Sequence, residues 1–212
     1  MTAYLRDAAA LARKDLLLEV RARDTLPAML LFVVAALVAF RFALPDEQER
    51  AAQGLLWVAI VFTALLGLGR AFVPEREQGV LDALVLTPCD RSAIWVGKVA
   101  ATLAFLILVE IVALPAFALF FEAVDGPTIA AVLLADIGIC AVGTLLAAMA
   151  VAGRARELLL PLLFLPVAIP IVVGGVGATV TDDPARYLGF LALYDAVFAI
   201  LAWATFEYVV TE

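Results

Sequence analysis

Six apolar runs, each long enough to cross a bilayer, decide what this chain can fold into. They lie near 26–44, 53–73, 99–121, 128–152, 158–180 and 188–210. A helix needs roughly 17–25 residues to cross the hydrocarbon core, whereas a spanning strand needs only about 9–11. Lipid offers no partner to an open N–H or C=O, so runs of this length satisfy their own backbones as helices. Charged residues make up 17% of the chain, against about 25% in soluble domains, too few to cover a soluble surface. The fold class is therefore an all-α integral membrane protein with six transmembrane helices. It divides into an N-terminal segment, 1–25, and a membrane domain, 26–212.

The basic residues are distributed unevenly between the connections. Arg6, Arg13, Lys14, Arg21 and Arg23 precede the first run; Arg70, Arg76, Arg91 and Lys98 flank the second connection; Arg154 and Arg156 lie in the fourth. Only Arg41, Arg50 and Arg186 belong to the other side. Lys and Arg stay on the cytoplasmic side, so both termini are expected there. The outer connections, near 45–52, 122–127 and 181–187, are short. The first 25 residues lack the layout of a cleavable signal peptide. Their Leu5, Ala9, Ala12, Leu16 and Val20 share one helical face and Arg6, Arg13 and Arg21 another. That pattern fits an amphipathic helix on an anionic membrane surface, or a helix packed on another subunit. Thr25 is placed to cap the first span, with Pro27 in its first turn.

The one long inner connection, 74–98, reads PEREQGVLDALVLTPCDRSAIWVGK. Pro74, Glu75 and Glu77 suit a helix start, because acids favour the positive end of the helix dipole. Val80, Leu81, Leu84 and Val85 form an apolar stripe opposed by Gln78 and Asp82; Pro88 stops the helix and Asp90 caps the next. This short helix is too charged to cross. Its stripe either rests on the membrane or enters a groove of another protein.

Composition removes several kinds of chemistry. Histidine is absent, so no Ser–His pair, His-ligated metal or imidazole ligation of heme resides in this chain. Cys89 and Cys140 form neither a disulfide framework nor a zinc spacing and read as free thiols. Gly97-Lys98 lacks the upstream glycine and the following Ser or Thr of a phosphate-binding loop, so any ATP hydrolysis comes from a partner and the chain is not expected to be an enzyme. A net charge of −7 argues against a nucleic-acid partner.

Three carboxylates interrupt the apolar runs: Glu110, Asp136 and Asp195. A central carboxylate costs about 2.5–3.5 kcal/mol on insertion scales. The third run offsets this with fourteen Leu, Ile, Val and Phe residues, each contributing about −0.3 to −0.6 kcal/mol. With no Lys or Arg at their depth, these groups are expected to be protonated, bonded to neighbours or wetted by a cavity. They serve as interhelical glue, as a gate, or as a contact for substrate. Pro115, Pro161, Pro166 and Pro170 are expected to kink their spans. Gly174, Gly175 and Gly177 fit either close helix packing or a re-entrant turn.

EREQGVLDALVLTPCDRSAIWVGK resembles the segment between the second and third spans of ABC-2-type permeases, a coupling helix that docks into a cytoplasmic ATPase. KDLLLEVRARDTLPAMLLF, GLLWVAIVFTALLGLGRAFVPEREQG and LLPLLFLPVAIPIVVGG, taken in order, resemble the cytochrome c maturation protein B family (CcmB, heme exporter protein B). Cys89 departs from the small or aliphatic residue expected in that turn. The resemblance implies a permease homodimer in the bacterial inner membrane, bound to a separate ABC ATPase, a heme-handling membrane subunit and a heme chaperone. It implies ATP on the partner, no cofactor bound directly, and heme as cargo of the complex. The ATPase-coupling residues it implies are Glu75, Arg76, Glu77, Val80, Leu81, Asp82, Leu84, Val85, Pro88 and Arg91. An ABC-2 exporter of another hydrophobic substrate and an uncoupled scaffold remain the competing readings.

Overall fold

The structure, a computed structural model, describes residues 2–44, 49–77, 79, 89–152 and 156–211. These residues form α1 (Thr2–Ala22), α2 (Thr25–Ala43), α3 (Glu49–Arg70), α4 (Val73–Glu77), α5 (Arg91–Phe120), α6 (Gly126–Ala152), α7 (Arg156–Val180) and α8 (Pro184–Thr211). No strand occurs among the described residues. Six of the helices are long and apolar enough to cross a membrane. The stretch 80–88, which carries Val80, Leu81, Asp82, Leu84, Val85 and Pro88, lies outside the described residues.

Helix α6 is the centre of the bundle and packs against α3, α5, α7 and α8. Its sequence explains the position. Between lipid-solvated helices burial of apolar area gives little drive, so close backbone approach and van der Waals packing decide which helices associate. Ala131, Ala135, Gly138, Cys140, Ala141, Gly143, Ala147 and Ala148 supply small side chains around α6, and all are buried. A Cβ on Gly143 would overlap the Leu68 side chain of α3. Helix α2, by contrast, buries only the single stripe Met29, Val33 and Leu37 and turns Leu31 and Phe42 outward.

Helix α7 runs unbroken through Pro161, Pro166 and Pro170, as α5 does through Pro115. Gly174, Gly175 and Gly177 belong to α7 itself. A Cβ on Gly175 would overlap the indole of Trp57, and one on Gly177 the ring of Tyr187. Of the two readings open on sequence, close packing is the one realised.

Two helix starts differ from expectation or extend it. The backbone N–H groups of Thr25 and Leu26 donate to Glu19 Oε1 at 2.8 and 2.7 Å. The cap of α2 thus comes from the preceding helix, not from Thr25, because Arg23 at φ 54° folds the chain back over the end of α1. Helix α5 starts at Arg91, directly after the expected Asp90 cap, and runs on into the apolar stretch that begins near 99. Asp90 Oδ1 accepts from the Ser92 N–H at 3.0 Å, the expected cap. The extra turns survive at the membrane edge because Ala93, Ile94, Trp95, Gly97 and Lys98 are buried, on a stretch where α1 packs closely.

Candidate functional site

The contact of α1 with α5 is close: Gly97 lies beneath Ala8 and Leu11, and a Cβ there would come within 2.9 Å of the Ala8 carbonyl and 2.8 Å of Leu11 Cβ. Tyr4, Ala8, Leu11 and Asp15 share the helical face that meets α5; Tyr4 Oη and Ser92 Oγ are 3.1 Å apart. Asp15 lies on that face, and it reaches the next residue along α5. Lys98 Nζ stands 2.9 Å from Asp15 Oδ2 and 2.7 Å from Glu75 Oε1. Lys14 Nζ meets Asp15 Oδ1 at 3.0 Å and also pairs with Glu75 Oε1. The four groups close a ring of alternating charge, two ammoniums and two carboxylates, joining α1, α4 and α5.

The ring is largely dry. Side-chain exposure is 3% for Glu75, 5% for Lys98 and 11% for Asp15, with Lys14 at 37% forming the rim. Desolvating an ion costs several kcal/mol, an expense that only close pairing and extra hydrogen bonds offset. Lys98 gathers both: it donates to the Ala71 carbonyl at 2.6 Å and sits 5.1 Å from the centroid of the Phe72 ring, within cation–π range. Burial alone would lower the Lys14 pKa, but Glu75 and Asp15 outweigh it and hold the value above 10.5. Glu75 Oε2 is buried and has no hydrogen-bond partner among the described residues.

The neighbouring residue turns elsewhere. Arg76 donates to the Val151 carbonyl in the last turn of α6, where the helix dipole favours a cation. Helix α4 is therefore tied on one side to α1 and α5 and on another to α6. At the start of α5, Arg91 pairs with Glu207 of α8 at 3.2 Å; both are exposed enough for the pair to contribute only about 0–1 kcal/mol. Glu75, Arg76 and Arg91 thus converge on one end of the bundle. Glu75 points into the ring. Asp15, Lys14 and Lys98 were missed by sequence reasoning, although an acid among Tyr4, Ala8 and Leu11 was a signal.

The intramembrane carboxylates lie further along the spans. Glu110 is 6% exposed, Asp136 0% and Asp195 6%. Glu110 on α5 and Asp136 on α6 are close enough to interact, and Cys140 lies one turn beyond Asp136 on the same face of α6. Asp195 is apart from them: it stands over Gly138, where a Cβ would overlap Asp195 Oδ1. Among the described residues, Glu110 Oε1 and both oxygens of Asp136 and Asp195 make no hydrogen bond of ordinary geometry. The bundle brings two of the three together and leaves the third on another side of α6. Among the described residues no group of His, Cys, Asp or Glu is arranged to hold a metal ion.

A six-helix membrane bundle, with an N-terminal helix locked by charge to the root of one long connection, defines the class: a polytopic membrane protein. The chain belongs to the CcmB protein family, whose model matches residues 6–209. It is 31% identical to heme exporter protein B of Paracoccus denitrificans over 208 residues, covering 93% of this chain and 94% of that protein. Against heme exporter protein B of Rhodobacter capsulatus it is 31% identical over 173 residues, 78% of this chain and 79% of the relative. For the Bradyrhizobium diazoefficiens protein of the same name the figures are 30% over 176 residues, 80% and 79%.

Proposed function

We propose that this chain is the membrane-spanning subunit of an ABC-type complex for cytochrome c maturation. In this reading it couples ATP hydrolysis on a separate subunit to heme export or to release of a heme-loaded chaperone. The observation that carries the reading is likeness to heme exporter protein B along 94% of the Paracoccus protein. The chain works as a homodimer in the bacterial inner membrane, with both termini and the 74–98 connection in the cytoplasm. Histidine being absent, any imidazole on the heme iron belongs to a partner.

Coupling begins where Val80, Leu81, Leu84 and Val85 enter a cleft of the ATPase, with Gln78 and Asp82 on the polar side. Displacement of that segment reaches the bundle at its two ends: through Glu75 and Arg76 in α4, and through Arg91 at the start of α5. Glu110 and Asp136 lie on the α5–α6 contact, where a shift of α5 is felt inside the membrane, and we assign them to gating and packing. Asp195 is assigned to packing of α8 on α6. Helix α1 turns Leu5 and Val20, 58% and 68% exposed, and Arg6, Arg13 and Arg21 away from the protein, a face suited to anionic lipid headgroups.

The test is a mild-detergent pull-down of the tagged protein from its native membrane, with ATP hydrolysis measured in the eluate. An ATPase co-eluting with heme-handling subunits is the expected result. An ATPase without them redirects the reading to another ABC-2 cargo, and no ATPase at all leaves an uncoupled scaffold.

A further inference from the structure

We propose that the ring of Lys14, Asp15, Lys98 and Glu75 is a turning joint, through which motion of α4 is passed to α1 and α5 together. The inference rests on the reading above, that the segment after α4 is moved by an ATPase. Three features of the ring carry it. Its charges alternate and sum to zero, so the three helices are held without a net buried charge. Both cations are lysines, whose ammonium is a compact charge with three rotatable donors, whereas an arginine fork fixes one geometry. Finally, both lysines share Glu75 Oε1 while Glu75 Oε2 is buried and open.

A spare acceptor inside the ring lets either ammonium pass from one oxygen to the other as α4 rotates, with no charge left unpaired on the way. Lys98 also holds the turn leading into α4, through the Ala71 carbonyl and the Phe72 ring. Helix α4 can thereby turn about Glu75, as far as the Arg76 tie to α6 allows, but not leave. Motion at its far end is converted into tilt of α5 and of the α1 helix docked on Gly97.

The experiment uses the full-length protein in nanodiscs containing anionic lipid, with and without its ATPase. The variants are Lys98→Met, Asp15→Asn, the double Asp15→Asn/Lys98→Met, and Lys98→Arg. Hydrogen exchange of the α1 amides is read in the protein alone, and stimulated ATP hydrolysis in the complex. Each neutral single variant should speed α1 exchange, and lower the stimulated rate, on the order of tenfold or more, because it leaves a buried charge uncompensated. The double variant, neutral again, should recover much of the α1 protection but not the stimulation. Lys98→Arg should keep α1 protected yet lower the stimulated rate about threefold or more, since its fork resists turning. That split is what a purely structural clamp would not produce. Unchanged α1 exchange in both single variants overturns the joint, as does full stimulation in Lys98→Arg or in a variant whose α1 is loosened. A wild-type protein that binds no ATPase instead sinks the coupling reading itself, and the joint's role in transmission with it.

Discussion

At the scale of single residues, this bundle is governed by whether a position has room. Gly175 lies against the fully buried indole of Trp57, whereas nothing comes within 4 Å of a Cβ built on Gly54. Both look alike in the sequence, as glycines inside apolar helices. Gly175→Ala should cost about 1–3 kcal/mol, the range for overpacking a filled core. Gly54→Ala should be neutral or slightly stabilising, since Ala is the better helix former. Thermal unfolding in one detergent compares the two directly, and equal midpoints would show that the α3–α7 contact is looser than described. The carboxylates teach the complementary lesson. Glu110, Asp136 and Asp195 stood out in the sequence because each breaks an apolar run. Asp15 and Lys98 stood in polar company, so composition gave no hint that folding would bury them face to face. A pairing between α1 and α5 is a tertiary fact, and only the helical-face position of Asp15 pointed towards it.

At the scale of elements, hydropathy located the spans because lipid demands long, self-satisfied helices. The apolar run alone begins only after Lys98, while the helix itself begins at Arg91, where the Asp90 cap puts it, and encloses Lys98. Where α1 covers a turn, a lysine can lie inside a helix without facing water. The Asp90 cap was legible, since capping is local chemistry; the Glu19 cap on α2 was not, since it depends on a fold-back through Arg23. The helix expected over the stretch after α4 falls on residues outside those described, so its role stands as a prediction. Leu81→Asp and Leu84→Asp each place a charge in the apolar stripe. If that stripe enters a cleft of the ATPase, either change should weaken association by about 2 kcal/mol or more, some thirtyfold at least. The variants should still reach the membrane in normal amount, because the stripe is not within a span. Co-purification of the ATPase at wild-type yield with full stimulation would remove the coupling helix from the proposal.

At the scale of the whole molecule, the bundle supplies six helices long and apolar enough to span, but the direction of the chain is argued from charge. Arg6, Arg13, Lys14, Arg21 and Arg23 precede the first span, and the ring places Lys98 at that same end of the bundle. Positive residues near span ends resist translocation, so the α1 end should face the cytoplasm and the α7–α8 turn the opposite side. Asp183 is exposed in that turn. In a protein freed of Cys89 and Cys140 by Ser and Ala, Asp183→Cys should react with a membrane-impermeant maleimide added to intact cells. Arg13→Cys, on an exposed face of α1, should react only after the cells are opened. Reversal of the two would place the ring on the far side of the membrane from ATP. A dual pattern, each cysteine half-reactive, would mean two orientations in one membrane. Either outcome would disqualify α4 as the entry point for work done by a cytoplasmic ATPase, whatever the family resemblance implies. The expected pattern puts α1, α4 and the start of α5 where such a partner can reach them. It also leaves the Glu110–Asp136 contact well inside the membrane, at the receiving end of any tilt of α5.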